Sequence, residues 1–212
     1  SSRRRHTIFK CDWSSDVCSS DLHSALRSQP DKRHVITSAV EHSANIKYCS
    51  YLQKQGYEVT FLPVESDGSI DIHLVDQSIR PDTAIVSIMW ANNETGVIFP
   101  IEEISAICRS RGTLFHTHAV QTPGKLKLDV KNVDIDFLSL SAHKLHAPKG
   151  IGMLYVKRRT KFVPFVFGGA AQASSLVDVP VAKPPAPEVL VATPIEKSIT
   201  EFVEFTGRAE AA

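Results

Sequence analysis

The sequence predicts an α/β domain in which a mostly parallel sheet is flanked by helices. Short runs rich in β-branched residues alternate with stretches whose apolar residues recur at helical spacing. One long apolar run, 84–90, is typical of a strand that is covered on both faces. Polar residues follow several of the runs, which is where parallel sheets place their sites. This alternation favours a parallel sheet with helices packed against it.

Two predicted strands and two predicted helices occupy the first half of the informative region. Residues 34–39 form a short apolar run rich in β-branched residues, which indicates a strand. Residues 43–55 carry apolar side chains at helical spacing and end before Gly56, a natural helix stop. Residues 57–63 alternate as in a strand. Residues 70–80 place three apolar side chains on one helical face.

The same alternation continues in the second half. The run 84–90 predicts a strand, and residues 101–111 repeat the helical pattern before Gly112. Three further strands are predicted, at 114–117, 137–141 and 153–156. Because the carboxyl ends of parallel strands meet at one edge of a sheet, we expect the polar residues that follow these strands to lie together.

The composition excludes several classes of protein. The chain has 24 Lys and Arg against 23 Asp and Glu, and this net charge of +1 argues against a strongly basic nucleic-acid binder. No run of 18 apolar residues is present, so we expect no membrane helix. The four cysteines lack the spacing of metal ligands, which predicts no metal site and a reducing compartment, the cytoplasm.

Both ends of the chain differ from its middle. Residues 11–22 form a polar run without helical or strand periodicity, and one DNA string that encodes them is a common sequencing-library adapter. We therefore expect residues 1–33 to be artefactual or disordered. Residues 170–212 are rich in Ala, Val and Pro, which favours an extended tail that is foreign to the domain. The informative domain is then 34–169.

A dense polar cluster follows the predicted strand 137–141. It reads Ser-Ala-His-Lys-Leu-His-Ala-Pro-Lys-Gly over residues 141–150. Lys144 lies just past a buried strand, between hydroxyl and imidazole groups. Partial burial and a cationic neighbour would lower the pKa of its amine, as in lysines that form Schiff bases. Alone, the cluster is far more typical of a solvated loop lysine, so its meaning depends on the other motifs.

Four motifs together carry a family resemblance. They are ITSAVEHSAN (36–45), SIMWANNETGVIFP (87–100), FHTHAVQTPGK (115–125) and LSLSAHKLHAPKGIGMLYVKR (138–158). With them the region resembles the large domain of cysteine desulfurases, most closely the nitrogen-fixation type. These are pyridoxal 5'-phosphate enzymes of the class V aminotransferase family, with the type I pyridoxal-phosphate transferase fold.

The resemblance implies seven residues in contact with pyridoxal phosphate: His42, Asn93, His118, Gln121, Ser141, His143 and Lys144. Lys144 would be the catalytic residue, because it would bind the cofactor as a Schiff base and shuttle protons. His42 would stack on the pyridine ring, and the two amides would hydrogen-bond the ring oxygen. The serine and the histidine that precede Lys144 would hold the phosphate.

The chain departs from the family pattern at His118, where the family has an aspartate that pairs with the pyridine nitrogen. A histidine cannot supply a fixed negative charge there, and one base change converts an aspartate codon into a histidine codon. The family's phosphate loop would lie upstream of His34. The cysteine that receives sulfur would lie downstream, because Cys49 and Cys108 fall on helical patterns.

The resemblance therefore implies a piece of a longer enzyme. The parent would convert L-cysteine to L-alanine and deliver a persulfide to a sulfur acceptor or an iron–sulfur scaffold protein. Such enzymes are homodimers, and this chain alone is expected to be inactive. Another class V enzyme, such as a selenocysteine lyase or an aminotransferase, is an alternative. A homologue without catalytic activity, with His118 as the loss, is a further alternative.

Overall fold

The computed structural model describes residues 6–10, 16–130, 132–146 and 151–164, which belong to one unit, Ser1–Ser174. The strands are β1 (His6–Lys10), β2 (His34–Ser38), β3 (Glu58–Leu62), β4 (Thr83–Ser87), β5 (Leu114–His118), β6 (Phe137–Ser141) and β7 (Ile151–Val156). The helices are α1 (Asp16–Ser28), α2 (Ser43–Lys54), α3 (Ile72–Ser78) and α4 (Ile101–Ser110), and a 3-10 helix covers Ala142–Leu145. None of the helices in these described ranges is long and apolar enough to cross a membrane.

All seven strands form one sheet, in the order β1-β7-β6-β5-β4-β2-β3. The five strands from β6 to β3 pair in parallel, and β7 and β1 are antiparallel at one edge. The central strands β2, β4 and β6 are buried at every position, whereas the edge strand β3 is largely part-exposed. The prediction of a mostly parallel sheet with flanking helices is confirmed.

Helices cover both faces of the sheet. Successive residues of a strand point to opposite faces, and neighbouring pairs such as Val35 and Ile36 accordingly belong to two separate apolar clusters. One cluster joins the strands to α3 and α4 through residues that include Val75 and Ile104. The other joins them to α1 and α2 through residues that include Leu26. The sheet is thus an internal layer, which explains its apolar strands.

The N-terminal region differs from the expectation of an artefactual or disordered segment up to residue 33. Residues 16–28 form α1, and Leu22, Ala25 and Leu26 are buried against the sheet. This i, i+3, i+4 stripe begins at the last residue of the polar run 11–22, so the run inspected by itself has no helical period. The adapter origin of residues 11–22 stays a prediction.

The strand β1, at one edge of the sheet, is a second element of the N-terminal region that the sequence did not predict. β1 pairs antiparallel with β7, from His6 opposite Tyr155 to Lys10 opposite Ile151. An edge strand offers a row of unpaired N–H and C=O groups, and an extended segment can pair with it through its backbone alone.

The prediction for residues 170–212 lies outside the described residues.

The predicted elements differ from the observed ones mainly at their ends. The strand predicted over 84–90 ends at Ser87, yet the amides of Ile88 and Trp90 still donate to the carbonyls of His116 and His118, over 3.1 and 3.0 Å. Continued pairing with β5 explains why the apolar run extends beyond the strand. It also carries the chain to the edge of the sheet where the polar residues lie.

Candidate active site

A cavity of about 150 Å³ opens at the carboxyl end of the parallel strands. Twelve residues line it: His42, Ala44, Asn45, Met89, Ala91, Asn93, His118, Val120, Gln121, Ser141, His143 and Lys144. All seven residues that the resemblance implies are among them. A cavity of about this volume can take a six-membered aromatic ring.

Four neighbouring strands bring these residues together. In the sheet order, β6, β5, β4 and β2 are adjacent, and all four run in parallel. The lining residues come from the end of β6 and the 3-10 helix, from the end of β5, from the loop after β4 and from the start of α2. The expectation that the polar residues meet at this edge is confirmed by the placement.

The 3-10 helix presents Lys144 at one side of the cavity. Ser141, the last residue of β6, has extended backbone, and its Oγ is hydrogen-bonded to Nδ1 of His143 over 2.6 Å. His146 ends the 3-10 helix in a left-handed conformation, with φ of 58°. Lys144 itself is exposed, so the prediction that it is partly buried is wrong. A single turn that projects from the sheet edge does not cover a long side chain.

His42 lies at the opposite rim, where α2 begins. It is the N-cap of α2, and its Nδ1 accepts a hydrogen bond from the N–H of Ala44 over 3.3 Å. This contact occupies Nδ1, so Nε2 is the ring nitrogen that can meet a ligand. The imidazole is exposed, and its centroid lies 5.8 Å from that of His118, with the two planes inclined at 58°.

His118 ends β5 at the floor of the cavity. Burial, joined by smaller electrostatic contributions from His116 and His42, lowers the pKa of its imidazole to about 3. His118 is therefore neutral at physiological pH. A neutral imidazole can donate one hydrogen bond or accept one, and it offers no fixed negative charge to a ligand.

The two amides occupy loops after β4 and β5. The loop after β4 is held by Asn92, whose Oδ1 accepts from the N–H of Glu94 over 2.8 Å and whose Nδ2 donates to the carbonyl of Val40 over 2.9 Å. This arrangement leaves the neighbouring Asn93 exposed at the cavity. Gln121 is part-exposed, and its Oε1 accepts from Nζ of Lys125 over 3.3 Å. Its amide nitrogen can therefore donate to a ligand.

The two described cysteines do not belong to the site. Cys49 and Cys108 are free and buried, in α2 and α4. Burial raises the pKa of both thiols to about 12, so neither forms a thiolate at neutral pH. A buried protonated thiol is a poor nucleophile. Within the described ranges, no group of three or more His, Cys, Asp or Glu side chains could hold a metal ion.

Sequence reasoning missed part of the cavity wall. Asn45 and Met89 line the cavity, and both contact the carboxyl group of Glu41 just behind it. Glu41 follows the predicted strand 34–39, so it is one of the polar residues expected at this edge of the sheet, and its sequence position indicates no further role. The informative signal is a carboxyl just before His42 and an amide in the first turn of α2, two polar residues that flank the start of the helix.

The chain matches the family model for class-V aminotransferases over residues 20–186. This match begins within α1, upstream of residue 34, where the predicted domain begins. Among curated relatives, the chain is similar to "Cysteine desulfurase 2" of Trichormus variabilis, with 53% identity over 148 residues. It is also similar to "Cysteine desulfurase NifS" of Azotobacter vinelandii, with 48% identity over 159 residues.

These relatives are longer than the chain. The first match covers 70% of this chain and 37% of the relative, and the second covers 75% and 39%. The chain thus spans less than half the length of the curated relatives that it matches.

Solved structures give the same result for the fold. A structure described as a NifS-like protein aligns with a TM-score of 0.74 and 33% identity, covering 78% of this chain and 46% of that one. A structure described as SspA in complex with cysteine aligns with a TM-score of 0.73 and 36% identity, covering 78% and 48%. Because the family model matches most of this chain, residues 20–186, the chain belongs to the class-V aminotransferase family.

Proposed function

We propose that this chain supplies the cofactor-binding region of a pyridoxal 5'-phosphate-dependent cysteine desulfurase. The whole protein would convert L-cysteine to L-alanine and pass the sulfur to an acceptor. The observation that carries the proposal is the single cavity in which Lys144 and the six other implied residues meet. The names of the relatives support a desulfurase over another class V enzyme, and one similar structure is described as a complex with cysteine.

The residues around the cavity fit pyridoxal phosphate in all but one contact. An aldehyde requires a primary amine, which Lys144 supplies, and an aromatic ring requires a flat partner, which His42 supplies at the rim. A phosphate requires hydrogen-bond donors, and the linked pair of Ser141 and His143 can provide them. The exception is His118, because the ring nitrogen would meet a neutral imidazole in place of a carboxylate.

When bound, pyridoxal phosphate serves as an electron sink for bonds at the α-carbon of an amino acid. Nζ of Lys144 would bond to the cofactor before substrate arrives and would afterwards carry protons at the reacting carbon. The open position of Lys144 leaves its amine free to move between these two tasks. His42 would hold the ring plane, and the amides of Asn93 and Gln121 would hydrogen-bond the ring oxygen.

The sulfur-accepting cysteine belongs to a part of the protein other than the described residues. Cys49 and Cys108 are unsuitable because their buried thiols stay protonated. L-cysteine as substrate, an iron–sulfur scaffold or another sulfur acceptor as partner, a homodimer and a cytoplasmic location complete the proposal. The two free cysteines accord with a reducing compartment.

Lys144→Ala tests the proposal directly. Pyridoxal phosphate added to the unchanged chain should give a yellow species with a new absorbance band, because an amine of the protein reacts with the aldehyde. The band should be lost in Lys144→Ala and retained in the matched control Lys47→Ala, which removes an exposed lysine of α2 that does not line the cavity. Equal bands in the two variants would overturn the assignment of Lys144.

A further inference from the structure

A buried carboxyl group lies directly behind the wall of the cavity. Glu41 is 7% exposed, between the end of β2 and the start of α2. It does not reach the cavity itself, yet the residue after it, His42, forms the rim. Because a buried carboxyl without partners is costly, the partners of Glu41 indicate what it does.

Three groups donate hydrogen bonds to this carboxyl. Oγ of Ser38 donates to Oε1 over 2.9 Å, and the backbone N–H of Met89 donates to the same oxygen over 2.7 Å. Nδ2 of Asn45 donates to Oε2 over 3.3 Å. An ionised carboxylate only accepts, so it suits three donors. A protonated carboxyl would place its own O–H against one of them, and of the three only the hydroxyl of Ser38 can turn to accept it, which would cost the network that donor.

Asn45 cannot easily turn its oxygen towards Glu41. Its Nδ2 also donates to Oγ1 of Thr37 over 3.2 Å and to Oγ of Ser87 over 3.3 Å. Reversal of the amide would break both contacts as well as the one with Glu41. The hydroxyl of Thr37 already donates to the carbonyl of Ser87, so it needs a donor on its other side. The carboxylate form of Glu41 is therefore the form that this network accommodates.

We propose that Glu41 is a positioning residue of the cavity: its carboxylate fixes Met89 and Asn45, two residues of the wall, and neutralising it loosens that wall. The contact with Met89 connects the segment after β4 to the segment that precedes α2, across 48 positions of the chain. The loop that carries Asn93 starts just after Met89, and His42 starts α2. Glu41 thus sets the spacing between two sides of the cavity. This inference rests on the proposed function for the ligand, pyridoxal phosphate.

The charge of Glu41 changes within the physiological range. Burial raises the pKa of its carboxyl to about 7, and the hydrogen bonds from Met89, Ser38 and Asn45 oppose that rise. The ordinary pKa of a glutamate is 4.5, so the unfolded chain ionises at lower pH than the fold does. The free energy of unfolding therefore falls as pH rises from 4.5 to about 7. The ordered wall follows the opposite course, since it needs the carboxylate and is complete only above about pH 7.

Other titratable groups surround this network, and a change of pH can act on them as well as on Glu41. Those on α2, on β5 and across the cavity are His42, Cys49, His116, His118 and Lys144. His116 reaches the network through Oγ of Ser87, which lies 2.8 Å from its Nδ1. Pyridoxal phosphate titrates as well. A test must therefore isolate Glu41 by comparing two chains that share every other group.

Glu41→Gln provides that comparison, because glutamine keeps the shape and cannot ionise. The dissociation constant of pyridoxal phosphate is measured for both chains at pH 6 and pH 8. The unchanged chain should lose affinity at pH 6 by about five- to tenfold more than Glu41→Gln does, because the ionised fraction of a group with a pKa of about 7 falls about tenfold between pH 8 and pH 6. Equal pH dependence in the two chains would overturn the proposal.

A second measurement follows the wall without any cofactor. The backbone amide of Met89, observed by NMR, should shift with a midpoint near pH 7 in the unchanged chain. The amide of Ile104, which donates to the backbone carbonyl of Pro100, serves as the control and should not follow that titration. Ser38→Ala removes one donor and should move the Met89 midpoint to higher pH. The hydroxyl of Ser50 donates to the carbonyl of Ile46 on α2 and does not contact Glu41. Ser50→Ala should therefore leave the Met89 midpoint unchanged.

These readouts separate the two proposals and do not depend on Glu41→Gln folding. A Met89 amide that does not titrate near pH 7, or that keeps its midpoint in Ser38→Ala, overturns the role of Glu41 even if the chain binds pyridoxal phosphate. A Met89 amide that titrates as described, in a chain that does not bind pyridoxal phosphate, supports the wall contact and overturns the proposed function.

Discussion

His118 is the cavity residue that fits the proposed cofactor least. It lies at the cavity floor, and burial keeps its imidazole neutral by lowering the pKa to about 3. A carboxylate at this position would stabilise a protonated ring nitrogen, and a neutral imidazole does not. Under the proposed function, this one side chain would weaken the cofactor as an electron sink while leaving the other proposed contacts in place.

His118→Asp should strengthen the binding of pyridoxal phosphate. A hydrogen bond to a charged group contributes about 1.5–3 kcal/mol, which corresponds to roughly ten- to hundredfold in affinity. Affinity is measured by fluorescence titration at pH 7.5, and the ¹⁵N shift of labelled cofactor reports protonation of its ring nitrogen. His118→Asn is the matched control, because it keeps a hydrogen bond without the charge. Equal affinity and equal shifts in the two variants would contradict the electrostatic account.

Helix α1 combines an apolar stripe with a poorly placed carboxyl. Leu22, Ala25 and Leu26 pack on the sheet, whereas Asp21 is fully buried beside His116. Oδ2 of Asp21 lies 3.0 Å from Nε2 of His116, but within the described residues neither oxygen of Asp21 accepts a hydrogen bond of good geometry. Nε2 is already bonded to Oγ of Ser139 over 3.1 Å. The distance alone therefore does not make a stabilising ion pair.

Burial raises the pKa of Asp21 well above its ordinary value and lowers that of His116 to about 3, so the fold disfavours the charged form of each group. Because the pKa of Asp21 is higher in the fold than in the unfolded chain, Asp21 lowers the free energy of unfolding as pH rises above about 4, the ordinary pKa of an aspartate. An aspartate at a position that faces the core is also what a foreign N-terminal sequence would bring.

Asp21→Asn and Leu26→Ala should change stability in opposite directions. Asp21→Asn removes the cost of burying an acid and should add about 1–3 kcal/mol at pH 7, with the gain vanishing as pH falls towards 4. Leu26→Ala should cost about 2–5 kcal/mol because it empties a buried site. The exposed Arg27→Ala is the control. Urea unfolding at several pH values measures all three. No loss in Leu26→Ala would mean that α1 does not pack on the sheet.

Most elements could be predicted because the sheet is covered on both faces. Strands such as β4 then become apolar runs, and helices such as α4 show a buried stripe that includes Ile101 and Ile104. α1 was missed because its stripe begins at Leu22, inside a run that is otherwise polar. β1 was missed because edge pairing depends on backbone groups, which leave no pattern of side chains.

At the scale of the whole molecule, the parallel topology determines where the site forms. The order of strands β6, β5, β4 and β2 brings four separate motifs to one edge of the sheet, which is why their residues could be grouped from sequence. The connection of Glu41 to Met89 could not be predicted, because it depends on a hydrogen bond between a side chain and a backbone amide 48 positions away. The exposure of Lys144 likewise depends on how the turn after β6 projects.

The central claim is that Lys144 is the lysine that binds pyridoxal phosphate. The most direct measurement is reduction of the mixture of chain and cofactor with borohydride, followed by peptide mapping by mass spectrometry. Reduction makes the bond between amine and cofactor permanent, so the labelled peptide identifies the lysine. The account predicts one dominant label, on the peptide that contains Lys144, and none there in Lys144→Ala. A label spread evenly over exposed lysines such as Lys47 and Lys54, or concentrated at another lysine, would contradict it.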